Sequence, residues 1–285
     1  MTVFEAMTQV LSMVPGADLS DFLFACNESV RSIHEAHGWS WLRKVGQIAL
    51  AESVSDSTVT VENGSSSVIP AASVFSAALI GYKFRVSGES RWYTVVGFPD
   101  PGITLDAAYE GEDQVGAAYA VYQDEYALPS DFKAMDHRGL RNPQTDLPLI
   151  YLPELDFDVL CGRNPGTIST LFAYLGFTLR ENSSTGLRQL QLSSAPSEAG
   201  ALTLYYRRKM IAVTDPASNI DLPDGYVGMF SCDLARIYSH RSTASSPTAV
   251  GYYSAKYKAD LQRAISVDNR IVDVPVRNRR TVWSR

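Results

Sequence analysis

Helical hydrophobic patterns occupy both ends of this chain, β patterns occupy the middle, and neither helical end carries enough apolar surface to make a core alone. At the N-terminal end, Thr2 followed by Glu5 predicts a capping box, in which each side chain satisfies a free backbone N–H of the first turn. Val3, Met7, Val10, Leu11 and Val14 then recur at helical spacing, and Pro15-Gly16 stops the run. Asp18 is placed to cap a second helix with the stripe Leu19, Phe22, Leu23, Cys26, Val30 and Ile33. His37 falls in its last turn, and Gly38 suits the left-handed residue that would end it. At the other end, Pro223 fits a first helical position, and Tyr226, Phe230, Leu234 and Ile237 share one face. Ser246-Pro247 caps a last helix with Val250, Tyr253, Tyr257, Leu261 and Ala264 in register. Two such pairs complete a core by meeting in space, which predicts one helical bundle built from both chain ends.

Between them the period changes from helical to alternating. Gln47–Val61, Tyr82–Val86, Trp92–Val96, Ile103–Leu105 and Ala118–Tyr122 alternate, with turns at Asn63-Gly64, Ser87–Ser90 and Pro99–Gly102. That rhythm suggests a small barrel or sandwich. Pro129, Pro143, Pro148 and Pro153 predict a loop-rich stretch from Leu128 to Leu155. Runs at 167–174, 177–180, 187–192 and 202–206, separated by Gly176, Gly186 and Gly200, read as an antiparallel meander. The expected class is α+β. The expected divisions are a helical pair at 1–41, a β domain from 42–51 and 123–217, a barrel module inserted at 52–122, a helical pair at 218–267 and a basic extended arm at 268–285.

Composition bounds the function. A net charge of −6 argues against a surface that grips nucleic acid all over. Cys26, Cys161 and Cys232 are odd in number and far apart, which fits no disulfide framework or zinc module and suits a reducing compartment. The absence of Lys or Arg before Arg31 argues against a signal peptide, and the apolar stretch 71–81 is too short to span a membrane. Neither a P-loop, a dinucleotide fingerprint nor a nucleophile elbow occurs.

Four weaker candidates have plainer alternatives. His34-Glu35-Ala36-His37 lacks the spacing of a zinc-protease helix. Glu154, Asp156 and Asp158 could hold a hard cation on an extended segment, or simply form the acidic first turn of a helix after Pro153. Asp136-His137-Arg138 has no accompanying nucleophile, and the acceptor pattern Asn27-Glu28-Ser29 lies inside a helix. Tyr205-Tyr206-Arg207-Arg208 could clamp a nucleic-acid strand, but reads better as an alternating strand with one tyrosine inward. No catalytic residue, metal or cofactor is assigned.

The phrase Tyr126-Ala127-Leu128-Pro129-Ser130-Asp131-Phe132 resembles a signature of tailed-bacteriophage head-to-tail adaptors, the family that includes tail tubular protein A of short-tailed phages. Trp39-Ser40-Trp41-Leu42-Arg43 is similar to that family's helix-to-strand junction. Leu190–Leu192, Pro196 and Leu202–Arg207 are similar to its late hairpin, and Ile220–Pro223 with Tyr226 to the start of its closing helices. The segment at about 52–122 resembles a β-module that some adaptors insert. The resemblance implies a structural virion protein assembled in the host cytoplasm. It would form a ring, commonly of twelve copies, between the portal protein and the tail or nozzle protein, with DNA passing through the lumen unread and no membrane involved. An acidic lumen would repel phosphates and let the polymer slide.

Two other classes compete. One is a tail-associated cell-wall hydrolase or nuclease using Glu154, Asp156 or Asp158; the other is a carbohydrate-binding receptor protein with Trp92 and Tyr93 as its platform. Partner binding is expected in the arm, which has five Arg against two Asp. Val274, Pro275, Val276, Arg277, Arg279, Arg280, Val282 and Trp283 are its candidate docking residues, and the resemblance names the portal as their target.

Overall fold

The computed structural model describes residues 1–89, 91–143, 145–160, 176–182, 186–193, 196, 199–241 and 246–272. It is a mixed α+β protein that divides into two compact units, Met1–Lys44 with Arg207–Arg285, and Val45–Tyr206.

In the first unit, α1 (Val3–Met13) begins on the expected capping box. The Glu5 N–H donates to Thr2 Oγ1 at 3.2 Å, and the Thr2 N–H donates to Glu5 Oε2 at 2.8 Å. The second helix departs from expectation at both ends. Asp18 instead accepts from the Ser20 N–H at 2.9 Å, so α2 starts later, at Phe22, and runs to Ala36. His37 is already extended rather than helical. Gly38 is not left-handed; a Cβ there would lie 3.1 Å from Arg207 Nη1, so close approach is what its missing side chain permits.

Toward the other end, Pro223 precedes a single 3-10 turn, Asp224–Tyr226, which leads into α4 (Val227–Arg241). The Ala249 N–H donates to Ser246 Oγ at 3.2 Å, and α5 follows as Pro247–Val272. Residues 268–272, expected to open an extended arm, are therefore helical. The fourth helix packs against α1, α2 and α5. Val10, Phe22, Ile33, Phe230, Leu234, Tyr238 and Tyr257 belong to one core. The buried Asp233 in it is matched: Ser29 donates to Asp233 Oδ2 at 2.7 Å, and Arg236 pairs with the same carboxylate at 2.7 Å.

Six short strands of the second unit close into a barrel: β2 (Thr58–Val61), β3 (Ser67–Pro70), β4 (Lys83–Val86), β5 (Tyr93–Gly97), β6 (Ile103–Leu105) and β7 (Gln114–Tyr122). Around the barrel they run β2-β3-β6-β5-β4-β7. Alternation places Val59, Val68, Phe84, Val95, Ile103 and Val121 inside. Gly64, with φ +79°, makes the expected turn between β2 and β3.

The remaining strands correct the meander. They form two sheets, one of order β1 (Arg43–Leu50), β13 (Gly200–Arg208), β9 (Phe132–Arg141). The other has the order β10 (Ile150–Tyr151), β11 (Gly176–Glu181), β12 (Arg188–Leu192), β8 (Glu125–Ala127). In it β10 runs parallel to β11, while β11–β12 and β12–β8 are antiparallel. The stretch expected to be loop-rich contains the ten-residue β9, because Phe132 and Leu140 reach a core shared with Tyr126, Phe177, Leu190, Leu204 and Tyr206. The run predicted at 167–174 lies outside the described residues.

Leu234 is fully buried. Leu234→Ala is expected to cost about 2–5 kcal/mol, read as a shift of the denaturation midpoint at unchanged slope; a shift under about 1 kcal/mol would show that α4 is not central to this core.

Candidate functional site

The phrase Tyr126–Phe132 becomes the crossover from one sheet to the other. Tyr126 lies on β8 opposite Leu190, is buried, and donates its hydroxyl to the Gln123 carbonyl at 2.9 Å. Leu128 packs against the same core, and Ser130 is exposed at the tip. The Pro129 carbonyl accepts from the Phe132 N–H at 2.9 Å, closing a four-residue turn into β9. Asp131 accepts from the Tyr206 hydroxyl at 2.7 Å, and the rings of Phe132 and Tyr206 stack at 5.8 Å. Burial first, then the bond to Asp131 and its charge, push the Tyr206 phenol up to about 12. A Cβ on Gly46 would meet Tyr206 Cε1 at 3.3 Å, so a side chain there would press on the ring. These residues lock strands together.

A second cluster gathers in the first unit around Trp39-Ser40-Trp41. Trp39 is buried and donates Nε1–H to the Ile33 carbonyl at 2.6 Å. His34 meets the Trp41 ring edge-on at 4.7 Å, and Tyr226 meets Trp39 at 5.2 Å. His34 Nε2 lies 3.1 Å from the Asp221 carbonyl oxygen, whereas His37 Nε2 lies 3.2 Å from Asp268 Oδ2. The two histidines thus face different acids, and the pattern His34-Glu35-Ala36-His37 makes no joint site. Arg208 holds Asp221 with two bonds, of 2.7 and 2.6 Å, and the Ile211 N–H adds a third at 2.9 Å. Burial raises the Asp221 carboxyl, but these donors outweigh it and hold the group below the usual carboxylate range.

Asp268 heads a basic run in the sequence, and no local signal marks it as a structural residue. It is fully buried and accepts from the Ser40 N–H at 3.1 and 3.0 Å and from the Ser40 hydroxyl at 2.5 Å. It ties the end of α5 to the chain that follows α2. A cleft of about 360 Å³ lies alongside, lined by Tyr226, Met229, Asp260, Arg263, Ala264 and Val267.

The other sequence candidates do not converge on a reaction centre. Glu154, Asp156 and Asp158 sit on α3 (Glu154–Leu160), and Arg180 pairs with Glu154 and Asp158, as the helical alternative implies. Among the described residues no group of His, Cys, Asp and Glu is arranged to hold a metal ion. Asp136 is buried on β9 with His137 Nδ1 at 2.9 Å. Tyr206 points inward, while Arg138 covers the Tyr205 ring at 4.4 Å. Tyr93 is buried in the barrel and Arg85 covers Trp92 at 4.3 Å, so the two do not offer a sugar platform. The arm residues Val274, Pro275, Val276, Arg277, Arg279, Arg280, Val282 and Trp283 lie outside the described residues. Comparison with protein-family models and with curated proteins finds no match for this chain.

Two outcomes follow for the first unit. Removing Asp221 leaves Arg208 without its carboxylate, so Asp221→Ala should cost about 3 kcal/mol at pH 7. A carboxyl held low when folded contributes its stability above the unfolded value and loses it as pH falls through the folded one, so the gap should close on acidification below about pH 4. A pH-independent gap would assign the loss to packing. Separately, a chain ending at Ser266 loses the Asp268 clamp and should melt lower than one ending at Val272; equal melting would show the clamp adds nothing.

Proposed function

We propose that this chain is a head-to-tail adaptor of a tailed-bacteriophage virion. In this reading it is structural rather than catalytic, uses no cofactor, and assembles as a ring joining the portal to the tail or nozzle, with DNA passing through the middle. One observation carries the reading. The two phrases on which the resemblance rests, Tyr126–Phe132 and the aromatic-basic strand ending in Tyr205-Tyr206-Arg207, meet through the bond from Tyr206 to Asp131 across 75 positions of sequence. Features that resemble one family separately therefore act as one structural lock. The helices of the two chain ends form the bundle of each ring subunit, and residues 273–285 reach the portal. The chain's site of action is the virion, with assembly in the host cytoplasm.

A hydrolase or nuclease reading would need a free acid pair, and Arg180 engages both Glu154 and Asp158. Negative-stain microscopy of the purified chain, alone and mixed with portal, tests the proposal. Rings with a central opening, seated on portal in the mixture, are expected. A monomer under both conditions would sink it.

A further inference from the structure

The cleft of about 360 Å³ in the first unit opens between the start of α4 and the C-terminal half of α5. Of its apolar lining, Met229 is buried, Tyr226 and Ala264 are half-buried, and Val267 is 48% exposed. Asp260 and Arg263 border it. Gly225 and Gly228 line it too, and neither has a positive φ. A Cβ on either would meet nothing within 4 Å, so close packing does not require glycine there. Gly228 lies in the first turn of α4, although glycine is a poor helix former. What the two glycines do is leave the cleft unfilled.

The course of the chain points to an occupant. The last helix ends at Val272, which lies about 7.5 Å along the axis from Val267 and about 18 Å from Asp260. Thirteen residues follow, and Pro275 opposes any continuation of α5, because it lacks a helical N–H and crowds the preceding turn. From Pro275 to Trp283 is eight residues, which span up to about 28 Å when extended. That is enough to lead back along α5 and over the cleft.

Trp283 is the one aromatic residue of this segment, and an indole buries more apolar surface than the valines beside it. Charge is complementary as well. Residues 273–285 carry four Arg against one Asp. Around the cleft, Asp260 and the exposed Asp224, from the turn that supplies Gly225 and Tyr226, outnumber Arg263.

We propose that residues 273–285 fold back on their own subunit and seat the Trp283 indole in this cleft, so that the arm is stowed in the free chain. A tether this short keeps the indole at a high effective concentration, so a modest contact suffices. A stowed tryptophan is withheld from any second surface until that surface competes for it. In the adaptor reading the competitor is the portal, but the fold-back belongs to the isolated chain and stands or falls separately from that reading.

The test is the rate at which trypsin cuts after Arg277, Arg279 and Arg280 in the isolated full chain, followed by mass spectrometry. Trp283→Ala should speed these cuts about tenfold, and so should Val267→Asp, which puts a charge in the cleft at an exposed position without altering the arm. Gly228→Leu, which fills the cleft from α4, should act in the same direction with its melting temperature retained. Rates within twofold of the unaltered chain in Trp283→Ala and Val267→Asp would overturn the proposal. Faster cutting in Trp283→Ala alone would place the indole elsewhere and overturn it equally. The rate in the unaltered chain should not change on dilution; a rise would seat the indole in the cleft of a second copy and overturn the fold-back.

Discussion

The burial of α4 is the constraint on which the first unit depends. Nine of its fifteen residues are buried, among them Ser231, Asp233 and Ser239 as well as Phe230 and Leu234. No single neighbour can cover a helix on that many sides, and α4 packs on α1, α2 and α5. Asp233 sharpens the requirement, because a buried carboxylate without partners would be strongly destabilising. Ser29 of α2 and Arg236 of α4 supply those partners, so the N-terminal helices must be in place before the closing helices can stay buried. The chain leaves this unit along β1 and returns along β13, and these strands are hydrogen-bonded neighbours. All the β structure between them is thus spliced into one local excursion.

What the sequence made legible was whatever depended on neighbours a few positions apart. The capping box at Thr2 and Glu5, the cap at Ser246 and the alternating barrel strands need only local chemistry or one buried face. The strand β9 is masked in the sequence because Pro129, Pro143, Pro148 and Pro153 around it read as loop punctuation, and Gly139 (φ +62°) breaks its alternation. Its inward residues gain their partners from β13, more than sixty positions later. The start of α2 was misplaced for a different reason: Asp18 and Asp21 both suit a helix start, and the turn bond from Ser20 to Asp18 decides between them.

Site residues followed the same division. The phrase from Tyr126 to Phe132 was visible, but its work as a lock needed Tyr206, far along the chain. Asp268 read as the first residue of a basic arm until Ser40, 228 positions away, appeared against it. The acidic rim at one end of the barrel, Glu62, Glu89, Asp106, Glu110, Glu112 and Asp113, was invisible as a unit. Its carboxylates come from three separate connections, two of which Asn63 ties together through Asp113 and Gly111.

That rim changes how the net charge of −6 can be used. An acidic chain as a whole suggests a surface that keeps DNA sliding, but exposed charges act over about 8 Å at physiological salt. Charge therefore counts only where it stands, and six acids are gathered at one braced end of the barrel.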